Sequence, residues 1–296
     1  MRYLVTGGAG FIGSTLVNRL SKTHEVIVVD NLSTGNIDYI SMNSNVTFVQ
    51  GDVTDSNVFE KVGKVDGIFH LAAMSKVLPS LGDPKMIDFC THQNVMGTIQ
   101  VLKFALSHEP PVKVVYSASS TCYGMNSVPQ HEGQLPDCQT PYALSKYCGE
   151  LYCEMYSRLY NVPTIRLRYF MVFGPNEPAS GSYAIVSGIF LKRKKENLPL
   201  IIHGDGTQTR DFVHVEDVCT ANILAMESDL YNETMNVGTG RQLSIKALAN
   251  IISDNQVHTE KRQVDLEATE SDNSKLQRLL NWTPQLRIED YVQSIV

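Results

Sequence analysis

The chain predicts an α/β fold, a doubly wound parallel sheet of the Rossmann type with a smaller C-terminal α/β unit for a substrate. Three observations lead there. Apolar, strand-like runs alternate with helical patterns. A glycine fingerprint, Gly7-Gly8-Ala9-Gly10-Phe11-Ile12-Gly13, closes the first run. After Phe173-Gly174-Pro175 the alternation stops, and Gly, Pro and Ser become frequent through Ser182.

The elements follow in order. Tyr3-Leu4-Val5 is the first strand, and Ser14 to Ser21 reads as the helix after the glycine turn. Glu25-Val26-Ile27-Val28-Val29-Asp30 is nearly continuous in apolar residues, as a strand buried on both faces requires. Val46 to Val49, Gly67 to Leu71, Val112 to Tyr116 and Thr164 to Tyr169 continue the series. Right-handed strand–helix–strand crossovers then build one parallel sheet. Pro84 to Ser107 and Pro141 to Tyr160 read as two long helices, and Arg210 to Glu227 as a return into the larger unit. The expected division is residues 1–170 plus 210–239 for the dinucleotide-binding unit, and 171–209 plus 240–296 for the substrate unit.

Bulk composition narrows the function. With 296 residues there is enough chain for a large core and a second unit. A formal net charge of −6 argues against a nucleic-acid partner, which needs a basic surface. None of the six cysteines stands in Cys-x-x-Cys spacing, so no metal site is expected and the thiols read as reduced, in a cytoplasmic protein. Met1 to Thr6 leads straight into the glycine turn without a leader pattern, and no apolar run approaches the ~18 residues of a membrane span.

The glycine fingerprint follows a strand, precedes a helix, and has an acid, Asp30, at the end of the next strand. In that context the glycines allow a tight turn, close approach of a pyrophosphate, and close packing of helix on strand. Asp30 would accept from ribose hydroxyls and repel a 2′-phosphate, which favours NAD over NADP. Asp52 and Val53, after the third strand, would edge the adenine. Tyr142 and Lys146 share one helix face four residues apart, so the ammonium is expected to lower the phenol's pKa and make it a general base. Ser119, at a strand end, can bind the same substrate oxygen. Glycine turn and Tyr-x-x-x-Lys together point to redox chemistry at a hydroxyl.

Thr6 to Ser14, His70-Leu71-Ala72-Ala73, Tyr123-Gly124, Tyr142-x-x-x-Lys146 and Arg210-Asp211-Phe212-Val213-His214-Val215-x-Asp217 resemble the extended short-chain dehydrogenase/reductase family. Within it the chain is most similar to NAD-dependent nucleotide-sugar epimerases, the UDP-glucose 4-epimerase group. The resemblance implies Ser119, Tyr142 and Lys146 as catalytic residues. For NAD it implies Gly7, Gly10, Phe11, Ile12, Gly13, Asp30, Asn31, Asp52, Val53, Leu71, Ala72, Ala73, Asn94, Tyr142, Lys146 and Tyr169. For the nucleotide-diphosphate sugar it implies Ser119, Tyr142, His203, Arg210, Arg262 and Thr269, with both arginines on the pyrophosphate.

The resemblance also excludes relatives. The family's 4,6-dehydratases carry Asp-Glu directly after the catalytic Thr, where this chain has Ser120 and Thr121. The fucose-synthase type carries a cysteine two residues before the tyrosine, where Thr121 stands. One departure is Met171, at a position where the family usually has a diphosphate-binding asparagine. Reversible C4 epimerisation through a 4-keto sugar is therefore the expected activity, of a UDP-hexose or UDP-N-acetylhexosamine. The rivals are a reductase or dehydrogenase with net NAD(H) turnover and a non-catalytic NAD-binding regulator. Apolar residues on the two long helices, Met86, Phe89, Val101, Leu102, Leu151 and Met155, lead us to expect a homodimer. Thr269, seven after Arg262, stands where a tyrosine in related enzymes crowds out an N-acetyl group, so 2-acetamido sugars are expected to fit.

Overall fold

A computed structural model gives the protein's structure over residues 1–75, 84–181, 184–261 and 266–296. Six strands come first: β1 (Arg2–Thr6), β2 (Glu25–Asp30), β3 (Val46–Gln50), β4 (Gly67–His70), β5 (Lys113–Ser119) and β6 (Thr164–Tyr169). Four short strands follow outside that sheet: β7 (Met171–Phe173), β8 (Leu200–His203), β9 (Thr209–Arg210) and β10 (Phe212–His214). The chain then returns as β11 (Glu233–Val237). A seven-stranded sheet results, all parallel, in the order β11-β6-β5-β4-β1-β2-β3. The order reverses at β1, which lies between β2 and β4, and a crevice opens there beyond the carboxyl ends of the strands.

Alternation along each strand supplies two cores. Leu4, Ile27, Ile68 and Val114 face Val101, Leu102, Ala105 and Cys153 of two helices on one side. Val5, Val28, Phe69 and Val115 face Leu16, Val17, Val218 and Ala221 on the other. A separate core outside the sheet gathers Phe173, Phe190, Leu200, Ile202, Phe212, Leu248, Ile252 and Val292. Two further strands, β12 (Leu243–Ser244) and β13 (Gln256–Thr259), pair with β9 and β8.

Helix ends follow local chemistry. Helix Pro141–Tyr160 starts on Thr140, whose Oγ1 accepts from Ala143 N at 3.1 Å, with Pro141 in the first turn. It ends on Asn161 in the left-handed region, φ 55°. The first helix begins at Phe11 rather than Ser14, because Ser14 N already donates to Gly10 O at 2.9 Å. The helix expected over 84–107 is interrupted by a π-helical turn, His92–Met96, between Lys85–Thr91 and Gly97–Leu106. β5 runs on to Ser119, three residues past the expected end at Tyr116. No helix among the described residues is long and apolar enough to cross a membrane.

Candidate active site

A cavity of about 910 Å³ opens at the crevice. One part of its wall is the glycine turn. Gly10 begins helix Phe11–Leu20 without a side-chain cap, so the first backbone N–H groups stay available to an anion. Gly7 has φ +70°, and a Cβ there would lie 2.6 Å from Ala72 N. A Cβ on Gly13 would lie 2.1 Å from Gly7 O. Both positions therefore require glycine for the turn to exist at all.

Asp30 closes this part of the cavity. Its Oδ2 accepts from Ala9 N at 3.0 Å and its Oδ1 from Leu32 N at 2.8 Å. One acceptor site is thus filled on each oxygen and a second remains for hydroxyl donors. Asp52 accepts from Asn31 Nδ2 at 2.9 Å and from Thr54 N at 2.9 Å. Burial works to raise its pKa, but the hydrogen bonds from Thr54, Asn31 and Gln93 outweigh that and hold it below the ordinary value. A turn of bare N–H groups beside a carboxylate with spare acceptor capacity fits a dinucleotide: pyrophosphate on the helix start, ribose on Asp30.

Ser119, Tyr142 and Lys146 line the same cavity. Ser119 Oγ lies 2.9 Å from Thr121 Oγ1 and accepts from Thr121 N at 3.3 Å. Lys146 is buried, with its ammonium 4.5 Å from the centre of the Tyr116 ring. Burial pushes its pKa down to about 8, against the upward pull of Cys153, Cys90 and Glu150. The expected lowering of the Tyr142 pKa is not found. Burial pushes the phenol up, and Ser119 only partly offsets this. His70 is fully buried between Thr6 Oγ1 (2.7 Å) and Thr98 Oγ1 (3.0 Å), and burial holds its pKa down at about 3. It is a neutral strut and no proton carrier near pH 7.

The wall gathers most of the residues expected from sequence: Gly7, Gly10, Phe11, Ile12, Gly13, Asp30, Asn31, Asp52, Val53, Leu71, Ala72, Ala73, Tyr169, Arg210 and Thr269. Two expected residues stand elsewhere. Asn94 sits behind the wall, where its Oδ1 accepts from Met74 N at 2.7 Å and its Nδ2 donates to Ser145 Oγ at 2.9 Å. Its amide is consumed in bracing the Met74 backbone, which does line the cavity. His203 ends β8, which pairs with β13, and its Nδ1 meets Thr259 Oγ1 at 2.9 Å, away from the cavity. Arg262 lies outside the described residues.

Several wall residues escaped the sequence reading, among them Ser117, Thr121, Phe89, Gln93, Pro178 and Leu266. Ser117 was within reach: it shares a strand face with Ser119, two residues on, and pairs with Tyr169 Oη at 3.0 Å. Pro178 and Leu266 arrive from irregular segments that carry no periodic signal.

A family model described as the NAD dependent epimerase/dehydratase family matches residues 3–238. The UDP-glucose 4-epimerase of Mycolicibacterium smegmatis is 33% identical over 309 residues, spanning 100% of this chain and 97% of that protein. A solved UDP-N-acetylglucosamine 4-epimerase from Methanobrevibacter ruminantium, in complex with UDP-N-acetylmuramic acid, matches with TM-score 0.93 at 31% identity, covering 99% of this chain and 96% of that one. A UDP-glucuronic acid 4-epimerase from Bacillus cereus, in complex with UDP-glucuronic acid and NAD, matches with TM-score 0.88 at 31% identity, covering 100% and 98%.

The burial of Lys146 has a measurable consequence. Below pH 8 both folded and unfolded chains hold its proton, and the folded state carries the full cost of a buried ammonium. Between about 8 and the ordinary 10.5 only the unfolded chain keeps the proton, so stability rises with pH across that window. In urea titrations without added cofactor, the native protein is expected to gain on Lys146→Met as the pH is raised from 8. A difference that stays constant would contradict a lowered lysine pKa.

Proposed function

Because the chain belongs to the NAD dependent epimerase/dehydratase family, we propose that it catalyses reversible C4 epimerisation of a UDP-linked sugar. The observation that carries this is a single cavity that joins a dinucleotide cradle, the Ser119–Tyr142–Lys146 group and Arg210. On this reading residues 1–170 with 210–239 hold the cofactor, and residues 171–209 with 240–296 hold the sugar nucleotide.

NAD held at the glycine turn and Asp30 would supply a hydride acceptor and donor. The chain's own residues do the rest. Tyr142 takes the proton of the C4 hydroxyl as the C4 hydride leaves, and gives it back on reversal. Ser119 holds the same oxygen through both half-reactions. Lys146, four residues on along the same helix face, brings a positive charge that favours the phenolate which burial alone opposes. Arg210 grips the diphosphate while the flat 4-keto sugar turns over. Ser120 and Thr121 offer hydroxyls and no carboxyl group, so the chain lacks the acid and base that dehydration would need there.

Related matches differ at the sugar's C2 and C6 substituents, and Thr269 bears on the first. It lines the cavity with a short side chain whose Oγ1 accepts from Asp211 N at 3.2 Å. The space a larger residue would take is left to the substrate. We read the preferred substrates as including UDP-N-acetylhexosamines.

We also propose a homodimer through the two long helices. Val101 and Leu102, expected on that face, point into the protein's own core. Ile87 (46% exposed), Leu144 (53%) and Leu151 (44%) remain outward on the same helices, while Phe89 borders the cavity. Apolar exposure of that kind favours a partner surface. All six cysteines are free thiols, which suits the reducing cytoplasm.

Four tests follow from this reading. Product analysis with UDP-, GDP- and dTDP-sugars is expected to give C4 epimers without net NADH. Tyr142→Phe is expected to keep bound NAD and lose roughly 10²–10⁴-fold in turnover; near-native turnover would remove Tyr142 from the mechanism, and steady NADH production would select a dehydrogenase. Thr269→Tyr is expected to shift turnover from UDP-N-acetylglucosamine towards UDP-glucose, and an unchanged ratio would refute the open pocket. Light scattering at micromolar concentration is expected to report twice the chain mass, against a monomer if the helices have no partner.

A further inference from the structure

Asp211 lies beside Arg210 on the chain but its carboxylate points away from the cavity, into fully buried surroundings. Four donors converge on it. Oδ1 accepts from Thr239 N at 2.7 Å and Thr239 Oγ1 at 2.6 Å, and Oδ2 accepts from Gly240 N at 2.9 Å and Ser271 N at 2.9 Å. The donors come from two segments remote in sequence, Thr239–Gly240 and Ser271. The backbone of the same residue adds two more links. Asp211 N donates to Thr269 Oγ1 at 3.2 Å, and Asp211 O accepts from Met171 N at 3.0 Å. Thr269 N in turn donates to Thr209 O at 3.2 Å, and Arg210 Nη1 donates to Leu266 O at 2.8 Å.

Met171, Arg210, Leu266 and Thr269 all line the cavity, and they come from three chain segments. Asp211 is the residue bonded to all three segments. An ionised carboxylate is the one side chain of this size that offers four acceptor sites and no donor. An amide of the same shape would turn an NH₂ towards two N–H groups, replacing attraction by repulsion at one oxygen. Hydrogen bonds to a charged group are also the strong ones.

We propose that Asp211 is a positioning residue that sets the substrate end of the cavity, acting through Arg210, Met171 and Thr269, and leaves the cofactor end untouched. This rests on the reading of the cavity as a UDP-sugar site. The residues at the glycine turn share no hydrogen bond with it, whereas each bonded segment supplies a substrate-side wall residue. Loss of the carboxylate therefore weakens binding common to the ground and transition states. That appears in KM rather than in kcat.

The experiment compares the holoenzyme with Asp211→Asn, Thr239→Val and Thr239→Ser. The readouts are UDP affinity by calorimetry, KM and kcat on UDP-N-acetylglucosamine and UDP-glucose, and NAD content per chain. Asp211→Asn is expected to raise KM and the UDP dissociation constant about 10-fold or more, with NAD content at the native value and kcat changed far less. Thr239→Val removes one donor and is expected to move KM the same way by about 3-fold, while Thr239→Ser keeps the hydroxyl and restores the native value. An Asp211→Asn protein with native KM, or one whose NAD content falls in step with its UDP affinity, overturns the assignment. If Asp211→Asn does not fold, the threonine pair decides, and equal KM in Val and Ser overturns it. A native protein that binds no UDP and converts neither sugar would instead overturn the reading of the cavity, so the two failures are separable.

Discussion

The site depends on how helix Pro141–Tyr160 is fixed to the sheet, and that rests on a buried ion pair. Arg168 on β6 grips Glu150 on the helix with Nη2–Oε1 at 2.5 Å and Nε–Oε2 at 3.0 Å, both side chains 7% exposed. Its third nitrogen donates to Tyr123 Oη at 2.9 Å, and that hydroxyl donates to Asn236 on β11 at 2.6 Å. Removing one partner of such a pair costs about 3–5 kcal/mol, a large share of a domain's typical ~5–15 kcal/mol. One turn before Glu150, Tyr116 Oη donates to Lys146 O at 3.0 Å, and a Cβ on Gly149 would lie 2.4 Å from the same hydroxyl. Helix and strand are thus held at a distance that brings Tyr142 and Lys146 to the end of β5, where Ser119 waits.

Burial on that scale has an electrical cost that the reaction can use. Lys146 is held at about 8, and Tyr142 above its ordinary value, because the pocket disfavours charge of either sign. A proton on the phenol is the resting state of such a site. Only when a cofactor and a substrate hydroxyl complete the surroundings does a phenolate gain the partners it needs.

Much of this was legible in the sequence where the signal is local. The strand Glu25–Asp30 and the helix Pro141–Tyr160 have the bounds that their apolar run, cap and terminal residues imply. The glycine turn and Tyr-x-x-x-Lys are short-range patterns, and both line the cavity. What failed was set at long range. The π turn at His92–Met96 follows from Asn94 reaching Met74 and Ser145, neither of which neighbours it in sequence. His203 meets Thr259, 56 positions further along the chain, through the parallel pairing of β8 with β13. The Tyr142 pKa was judged from one neighbour, while its direction is decided by the depth of the whole pocket. Asp211 stood in the quoted Arg210–Asp217 motif, yet its four donors lie 28 to 60 positions further along the chain.

The central claim is that one cavity removes a hydride from C4 and returns it to the same carbon. The direct measurement is the fate of deuterium at C4 of a UDP-hexose or UDP-N-acetylhexosamine substrate, followed by NMR and mass spectrometry in ordinary water. The account predicts that deuterium stays on C4 in both epimers at equilibrium, with no loss to solvent and no accumulation of reduced cofactor. Epimers that have exchanged the label for solvent hydrogen, or label that leaves with released NADH, would contradict it.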